Sequence, residues 1–327
     1  MKNILIFGFT VLATILVGCN KNKDNIIAQM NREDQNMIYP TEHKYIKVDG
    51  INIFYREAGS IENPTILLLH GYPTSSQMFK NLIRKLSDQF HLIAPDFPGF
   101  GKSDQPDIKD YEYSFENYAN TIKAFLKAKA INRYSIYLMD YGAPVGFIIA
   151  NDSPEKVDAL IVQNGNVYEE GLGKVFEKAK KLWKEPTEEN RHAIYDVRSN
   201  MDVVIWEYTH GTRNKKDIDP DNWTNDFYHL LRPGNFEIQV KLVEDYGNNV
   251  LKYPMWQQYL KDNQPPTLIV WGGNDEVFPP TGAYPYQKDL KNIEFHLLNT
   301  GHFALEEDGD LIANYIREFL NKNIVNK

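Results

Sequence analysis

Apolar residues along this chain fall into two recurring patterns, and the order of those patterns carries most of the structural information. One is a short unbroken run closed by a turn signal: Thr65-Ile66-Leu67-Leu68-Leu69 before His70-Gly71, Leu92-Ile93-Ala94-Pro95 before Asp96, residues 134–139, residues 157–162, Pro266-Thr267-Leu268-Ile269-Val270-Trp271 before Gly272-Gly273, and residues 293–298. Such runs lack the alternation of a half-exposed strand, so they predict strands covered on both faces, as in a parallel sheet. The other pattern repeats every three or four residues. Met78, Phe79, Leu82, Ile83 and Leu86 share one helical face, as do Phe115, Tyr118, Ala119, Ile122, Phe125 and Leu126 behind a Ser114 cap, and Leu311, Ile312, Tyr315, Ile316, Phe319 and Leu320 near the end. Strand and helix alternate, which predicts an α/β fold with a mostly parallel central sheet flanked by helices. Ahead of them, residues 45–48 and 51–55 flank Asp49-Gly50, a pair that accepts the positive φ values of a tight hairpin turn.

The alternation is interrupted once. Residues 169–261 carry Trp183, Trp206, Trp223 and Trp256, many Tyr and Lys, several helix-period segments and breaks at Pro186, Pro220, Pro233-Gly234 and Pro254. This stretch predicts a helical cap inserted between a first core segment, 39–168, and a second, 262–327. No internal repeat is visible.

Composition narrows the functional classes. The chain has 327 residues and a formal net charge of −8, with no cluster of Lys and Arg interleaved with aromatics, which excludes the electrostatic footprint of a nucleic-acid binder. The eight histidines are scattered and no His-Glu-x-x-His spacing occurs, so no metal is expected. Neither Gly-x-x-x-x-Gly-Lys-Ser nor a helix-opening Gly-x-Gly-x-x-Gly is present, and no cofactor is expected. Residues 1–18 have a short basic start and an apolar run too short to span a membrane comfortably, which reads as a signal peptide. Its end, Leu16-Val17-Gly18-Cys19, resembles the lipobox of bacterial lipoproteins. Cys19 is the single cysteine, consistent with an oxidising compartment, and residues 19–38, polar and rich in Lys, Asn, Asp and Gln, read as a flexible tether. The expectation is a protein of the bacterial cell envelope, held to a membrane by lipid on Cys19.

The candidate chemistry centres on Leu138-Met139-Asp140-Tyr141-Gly142, where a strand pattern passes through a sharp turn into a helix. A residue on that crest is exposed at the carboxyl edge of the sheet, with the following backbone N–H aimed at a developing oxyanion. Asp140 alone also suits a helix N-cap. Asp275 and His302, however, follow later strand runs at the same edge, where ligands of open α/β sheets bind. No Gly-x-Ser-x-Gly occurs, which excludes a serine nucleophile elbow.

In order, His70-Gly71-Tyr72-Pro73, Asp96-x-Pro-Gly-x-Gly and the Asp140 elbow resemble the α/β-hydrolase fold, and within it the epoxide hydrolase and haloalkane dehalogenase branch. The resemblance runs from about Tyr39 to the C-terminus, looser in the middle. It implies a small hydrophobic organic substrate, Asp140 as a nucleophile forming an ester, His302 as general base for the hydrolytic water and Asp275 as the acid orienting His302. The oxyanion donors would be the backbone N–H groups of Tyr72 and Tyr141, which are expected to keep Asp140 ionised against burial. Asn164 and Asn166 occupy the region where some members of the branch place the acid, which favours Asp275. Dehalogenases supply a tryptophan beside the nucleophile and an asparagine after His-Gly; this chain has Tyr141 and Tyr72 there. The epoxide relatives use cap tyrosines to protonate the opening ring, and Tyr195, Tyr208 and Tyr246 are the candidates. Trp206 keeps halide release open. A lipid-anchored binding protein without catalysis is a further alternative, although binding alone requires none of Asp140, Asp275 and His302.

The N-terminal reading has a direct test. In a bacterial host the wild-type protein should incorporate labelled palmitate and fractionate with membranes, whereas Cys19→Ser should remain unlabelled and unprocessed. A wild-type protein without label would return Cys19 to an ordinary thiol.

Overall fold

The first folded element is the hairpin expected around Asp49-Gly50: β1 (Glu42–Val48) pairs antiparallel with β2 (Ile51–Ala58), Val48 opposite Ile51. Both turn residues have positive φ, 48° and 89°, the backbone that a two-residue turn of matching twist requires. The structure is a computed structural model that describes residues 39–325. The signal, the tether and Cys19 lie outside the described residues. Six more strands complete one sheet: β3 (Thr65–Leu69), β4 (His91–Pro95), β5 (Tyr134–Met139), β6 (Val157–Gln163), β7 (Thr267–Gly272) and β8 (Ile293–Leu298). Their spatial order is β1-β2-β4-β3-β5-β6-β7-β8. β2 runs antiparallel to β4, and from β4 to β8 every pairing is parallel.

The apolar runs are buried as their composition demands. Leu67, Leu68, Leu69, Ile93, Ile136, Leu138, Ile161 and Val270 are fully inaccessible. Helices cover both faces. α1 (Lys80–Leu86) packs with the last long helix on one side, and α2 (Phe115–Ala128) with α3 (Gly142–Asp152) on the other. Ser114 caps α2, its hydroxyl accepting the Asn117 N–H. Because β4 lies on one side of β3 and β5 on the other, the loops after β3 and β5 leave in opposite directions. They open a crevice at the carboxyl edge, where α/β sheets bind ligands.

Between β6 and β7 the chain is helical: α4 (Glu177–Lys184), α5 (Glu188–Arg198), α6 (Met201–Thr209), α7 (Pro220–Leu230) and α8 (Asn235–Asn263). Pro220 is the first residue of α7 behind an Asp219 cap, a position where its missing N–H costs nothing. The break expected at Pro254 does not occur, since α8 continues through it for a total of 29 residues. An interior proline removes a helical hydrogen bond, but α8 is anchored on both sides of it. Tyr246, Tyr253, Trp256 and Leu260 are buried, and Trp256 stacks on Phe147 of α3 at 5.9 Å. Packing outweighs the local penalty. Among the described residues no helix is long and apolar enough to cross a membrane. The short α9 (Tyr286–Asp289) and the long α10 (Ala304–Leu320) close the fold; α10 starts seven residues earlier than the apolar face read from Leu311 onward, two residues after His302.

The elbow depends on a close approach of helix to strand. A Cβ on Gly142 would lie 2.3 Å from the Leu69 carbonyl oxygen and 2.7 Å from its carbon. Backbone cannot step aside cheaply, so Gly142→Ala should cost about 1–3 kcal/mol in denaturant unfolding. Gly309→Ala in α10, with nothing within 4 Å of the added carbon, should be neutral or raise stability by roughly 0.5–1 kcal/mol. Equal effects at the two sites would refute the close-approach argument.

Candidate active site

Asp140 follows the last residue of β5 with φ of +48°, a left-handed conformation that Asp tolerates better than most side chains. The strain turns its carboxylate toward the loop after β3. That loop can come close only because residue 71 is glycine: a Cβ there would lie 2.2 Å from Asp140 Oδ1. The Tyr72 N–H donates to Asp140 Oδ1 at 2.6 Å, and the Tyr141 N–H acts on the same carboxylate. The two expected oxyanion donors therefore converge on Asp140.

Two expectations about Asp140 need correction. It is not an exposed crest residue, since only 5% of its surface is accessible beneath the helical segment. The balance of its pKa also differs. Burial is the largest influence and lifts the carboxyl above its ordinary value, against His302, the Tyr72 and Tyr141 N–H groups and Arg198, which favour the anion. Desolvation outweighs the backbone donors.

Asp275 and His302 come together because the loops after β7 and β8 touch backbone to backbone; a Cβ on Gly272 would lie 1.9 Å from the Gly301 oxygen. His302 Nδ1 meets Asp275 Oδ2 at 2.8 Å, and His302 Nε2 lies 3.8 Å from Asp140 Oδ2. Burial works to lower the imidazole pKa. Asp275, through both its charge and the hydrogen bond, then Asp140 and Glu207, hold it at about 9. Asp275 is fixed in turn by the Val277 N–H at 2.7 Å and by Asn164 Nδ2 at 2.7 Å. Asn164, at the end of β6, also accepts the Gly272 N–H at 3.0 Å. The amide that stands where an acid is found in some relatives thus orients the acid of the neighbouring strand. The signal for this was adjacency, because parallel strands put the ends of β6 and β7 side by side.

The other conspicuous motifs are architectural. His70 Nε2 accepts the Phe97 N–H at 3.0 Å, and burial pushes this imidazole down to about 4. Asp96 accepts the Ser76 and Lys102 N–H groups, each at 2.8 Å, closing its glycine-rich loop.

Asp140 and His302 face a cavity of about 580 Å³, roofed by α5, α6 and α8. Of the four candidates from the helical segment, two line it. Trp206 does, its ring stacked on His210 at 4.7 Å. The Tyr246 ring does too, although its hydroxyl is 3.1 Å from the Tyr253 hydroxyl. Tyr208 is turned away, donating to buried Asp226 at 2.6 Å and stacked on Phe303. Tyr195 packs edge-on against Phe236 and borders a separate groove with Arg191 and Glu244.

Six charged residues that the sequence did not single out line the cavity; Lys174, Glu177, Lys178 and Asp202 are exposed, whereas Arg198 and Glu207 are largely covered. The Arg198 guanidinium lies 3.8 Å from the centre of the Tyr72 ring, donates to the Tyr141 hydroxyl at 3.1 Å and approaches Glu207 Oε1 at 3.6 Å. An acid directly after the apolar run Val203-Val204-Ile205-Trp206 was the available sign that Glu207 is buried. Among the described residues no group of three or more His, Cys, Asp or Glu is placed to hold a metal ion.

Residues 64–309 match the alpha/beta hydrolase fold family. An uncharacterized hydrolase of Saccharomyces cerevisiae is 40% identical over 284 residues, covering 86% of this chain and 97% of the yeast protein. Epoxide hydrolase 1 of Caenorhabditis elegans is 23% identical over 322 residues, covering 95% of this chain and 78% of the relative. Among solved structures, haloalkane dehalogenase DbeA of Bradyrhizobium elkani superimposes with a TM-score of 0.73 at 19% identity, covering 88% of this chain and 100% of that one. With its sheet order, elbow and residue match in agreement, the chain belongs to the alpha/beta hydrolase fold family and is a hydrolase.

Proposed function

We propose that this hydrolase opens epoxides to diols through an ester on Asp140, which water activated by His302 then cleaves. The observation that carries the reading is the orientation of His302: its Nδ1 is committed to Asp275, and its Nε2 is directed to within 3.8 Å of the Asp140 carboxylate. A carboxylate nucleophile has no proton to lose, so a histidine aimed at it has its task in the second half of the reaction. The electrostatics fit that order. The charge of Asp140 is one of the influences holding His302 at about 9. Esterification removes that charge and so lowers the imidazole pKa, which lets His302 shed its proton and stand free as a base once the ester exists. The Tyr72 and Tyr141 N–H groups would then carry the negative charge that develops on the ester oxygen as water attacks.

Dehalogenation is the second reading, favoured by the Trp206 indole on the cavity wall. Epoxide opening is preferred because positions 72 and 141, which supply halide donors in the dehalogenase branch, are tyrosines here, and both side chains engage Arg198. The N-terminal lipobox adds the proposal that the enzyme works at a membrane surface.

The ester is directly observable. Intact-mass spectrometry of His302→Ala after brief exposure to a panel of epoxides and haloalkanes should show one added substrate mass on a peptide containing Asp140; a panel member that wild type turns over without any adduct in His302→Ala would falsify the two-step scheme. Asp275→Asn should leave the fold intact and slow turnover by up to about 10⁴-fold, the loss seen when a triad histidine takes the wrong tautomer. Asp140→Asn, which keeps an oxygen for the Tyr72 N–H, should abolish turnover while retaining the wild-type unfolding midpoint. Activity in that variant would remove Asp140 from the chemistry.

A further inference from the structure

We propose that Glu207 is the catalytic acid that protonates the departing epoxide oxygen, an inference that rests on the epoxide reading above. Glu207 lies on α6 and lines the same cavity as Asp140 and His302. It is 8% exposed, and the ion-pair contact of its carboxyl is Arg198 Nη1 at 3.6 Å, beyond hydrogen-bond range. Among the described residues no donor or acceptor satisfies it. A carboxyl that lines a cavity without a hydrogen bond from the protein is available to a ligand.

The other groups near the cavity are less suited to giving up a proton. The Tyr246 hydroxyl is paired with that of Tyr253. The Trp206 indole is a hydrogen-bond donor only. Tyr141 accepts from Arg198 and retains its own proton, which makes it the rival. Burial holds Glu207 up at about 7, opposed by Arg198 on α5 and by His302 from the loop before α10, and reinforced by Asp140 at the elbow and Asp275 from the loop after β7. The carboxyl therefore carries a proton at a pH where an ordinary glutamate would not, as a general acid must.

The step balances. An Asp140 oxygen bonds to an epoxide carbon, the bond from that carbon to the ring oxygen breaks, and its electron pair goes to the oxygen, which takes the Glu207 proton. Glu207 is left as a carboxylate facing the Arg198 guanidinium. After esterification removes the Asp140 charge, His302 releases its own proton to solvent, and it takes one back when that charge returns. In the second half the freed His302 accepts a proton from water as the hydroxyl adds to the ester carbonyl. The tetrahedral adduct expels the diol oxygen, which takes the proton from His302. Asp140 leaves this step as the acid, and its proton returns through solvent to Glu207. The sum is epoxide plus water to diol.

The test measures the rate of ester formation by mass spectrometry in His302→Ala, with and without Glu207→Gln, using styrene oxide, 1,2-epoxyoctane and 2-phenylethyl bromide as probes. Bromide leaves as a stable anion and needs no proton. Glu207→Gln should slow ester formation from the reacting epoxide by about 10²–10⁴-fold, the usual scale of general acid catalysis. With Glu207 present the epoxide rate should fall as pH rises past about 7 or somewhat higher, because loss of the His302 charge removes one influence that lowers Glu207. Glu207→Gln should abolish that limb, and Tyr141→Phe should retain it. Any reaction of the bromide should be slowed far less. Epoxide rates unchanged in Glu207→Gln, equal slowing of epoxide and bromide, or loss of the pH limb in Tyr141→Phe instead would each overturn the assignment. Absence of ester from every probe and from the wider panel would count against the aspartate-ester reading itself.

Discussion

Taking the Asp140 carboxylate out of water costs several kcal/mol unless something in the fold answers its charge, and much of the surrounding structure can be read as that answer. The backbone supplies the first part. Three glycines permit approaches that any side chain would block: Gly71 beside the Asp140 oxygen, Gly142 under the Leu69 carbonyl, and Gly272 against the Gly301 oxygen. The first two bring the ends of β3 and β5 together, so that N–H groups point at the carboxylate. The third brings Asp275 to His302. The left-handed turn at Asp140 is a local strain that the sheet around it, fully buried on both faces, is rigid enough to hold.

Charge supplies the second part, and it is coupled. Asp140, Asp275, Glu207, His302 and Arg198 are largely buried around and behind the cavity and act on one another where fields are screened less than in water. A change at one member alters the others. In the proposed scheme, esterifying Asp140 would lower the pull on the His302 proton, and ionising Glu207 would raise it. Under the proposed reaction, a site arranged in this way would change its own acidity from step to step.

How much of this could be read beforehand follows from the range of each determinant. The strands and flanking helices were legible because burial on both faces writes itself into consecutive residues, as in Thr65-Ile66-Leu67-Leu68-Leu69. Asp140, Asp275 and His302 were legible because each sits just past such a run, and the structure places Asp140 and His302 on one cavity with Asp275 bonded to His302 behind them. What failed depended on packing over long separations. Pro254 looks like a helix end until Trp256 is seen stacked on Phe147. Tyr195, Tyr208 and Tyr246 are equivalent as letters, yet Tyr208 is claimed by Asp226, more than a helix away. Arg198 and Glu207, on successive helices, resemble ordinary surface charges until those helices are folded over the sheet.

The division of labour between sheet and helices follows from the same physics. Positions at strand ends are fixed by a hydrogen-bonded ladder, which suits the groups that must meet at tenths of an ångström: Asp140, His302, Asp275 and Asn164. In the proposed reaction the groups that meet the departing atom would instead have to match a substrate, and the cavity-lining candidates come from α5, α6 and α8, whose side chains are positioned by packing rather than by the ladder. Here that surface presents a carboxyl, a guanidinium, an indole and a phenol ring within one wall of about 580 Å³. A halide would call for donors alone. The presence of an acid among them, buried and without a hydrogen-bond partner, fits a leaving oxygen that must finish the reaction as a hydroxyl.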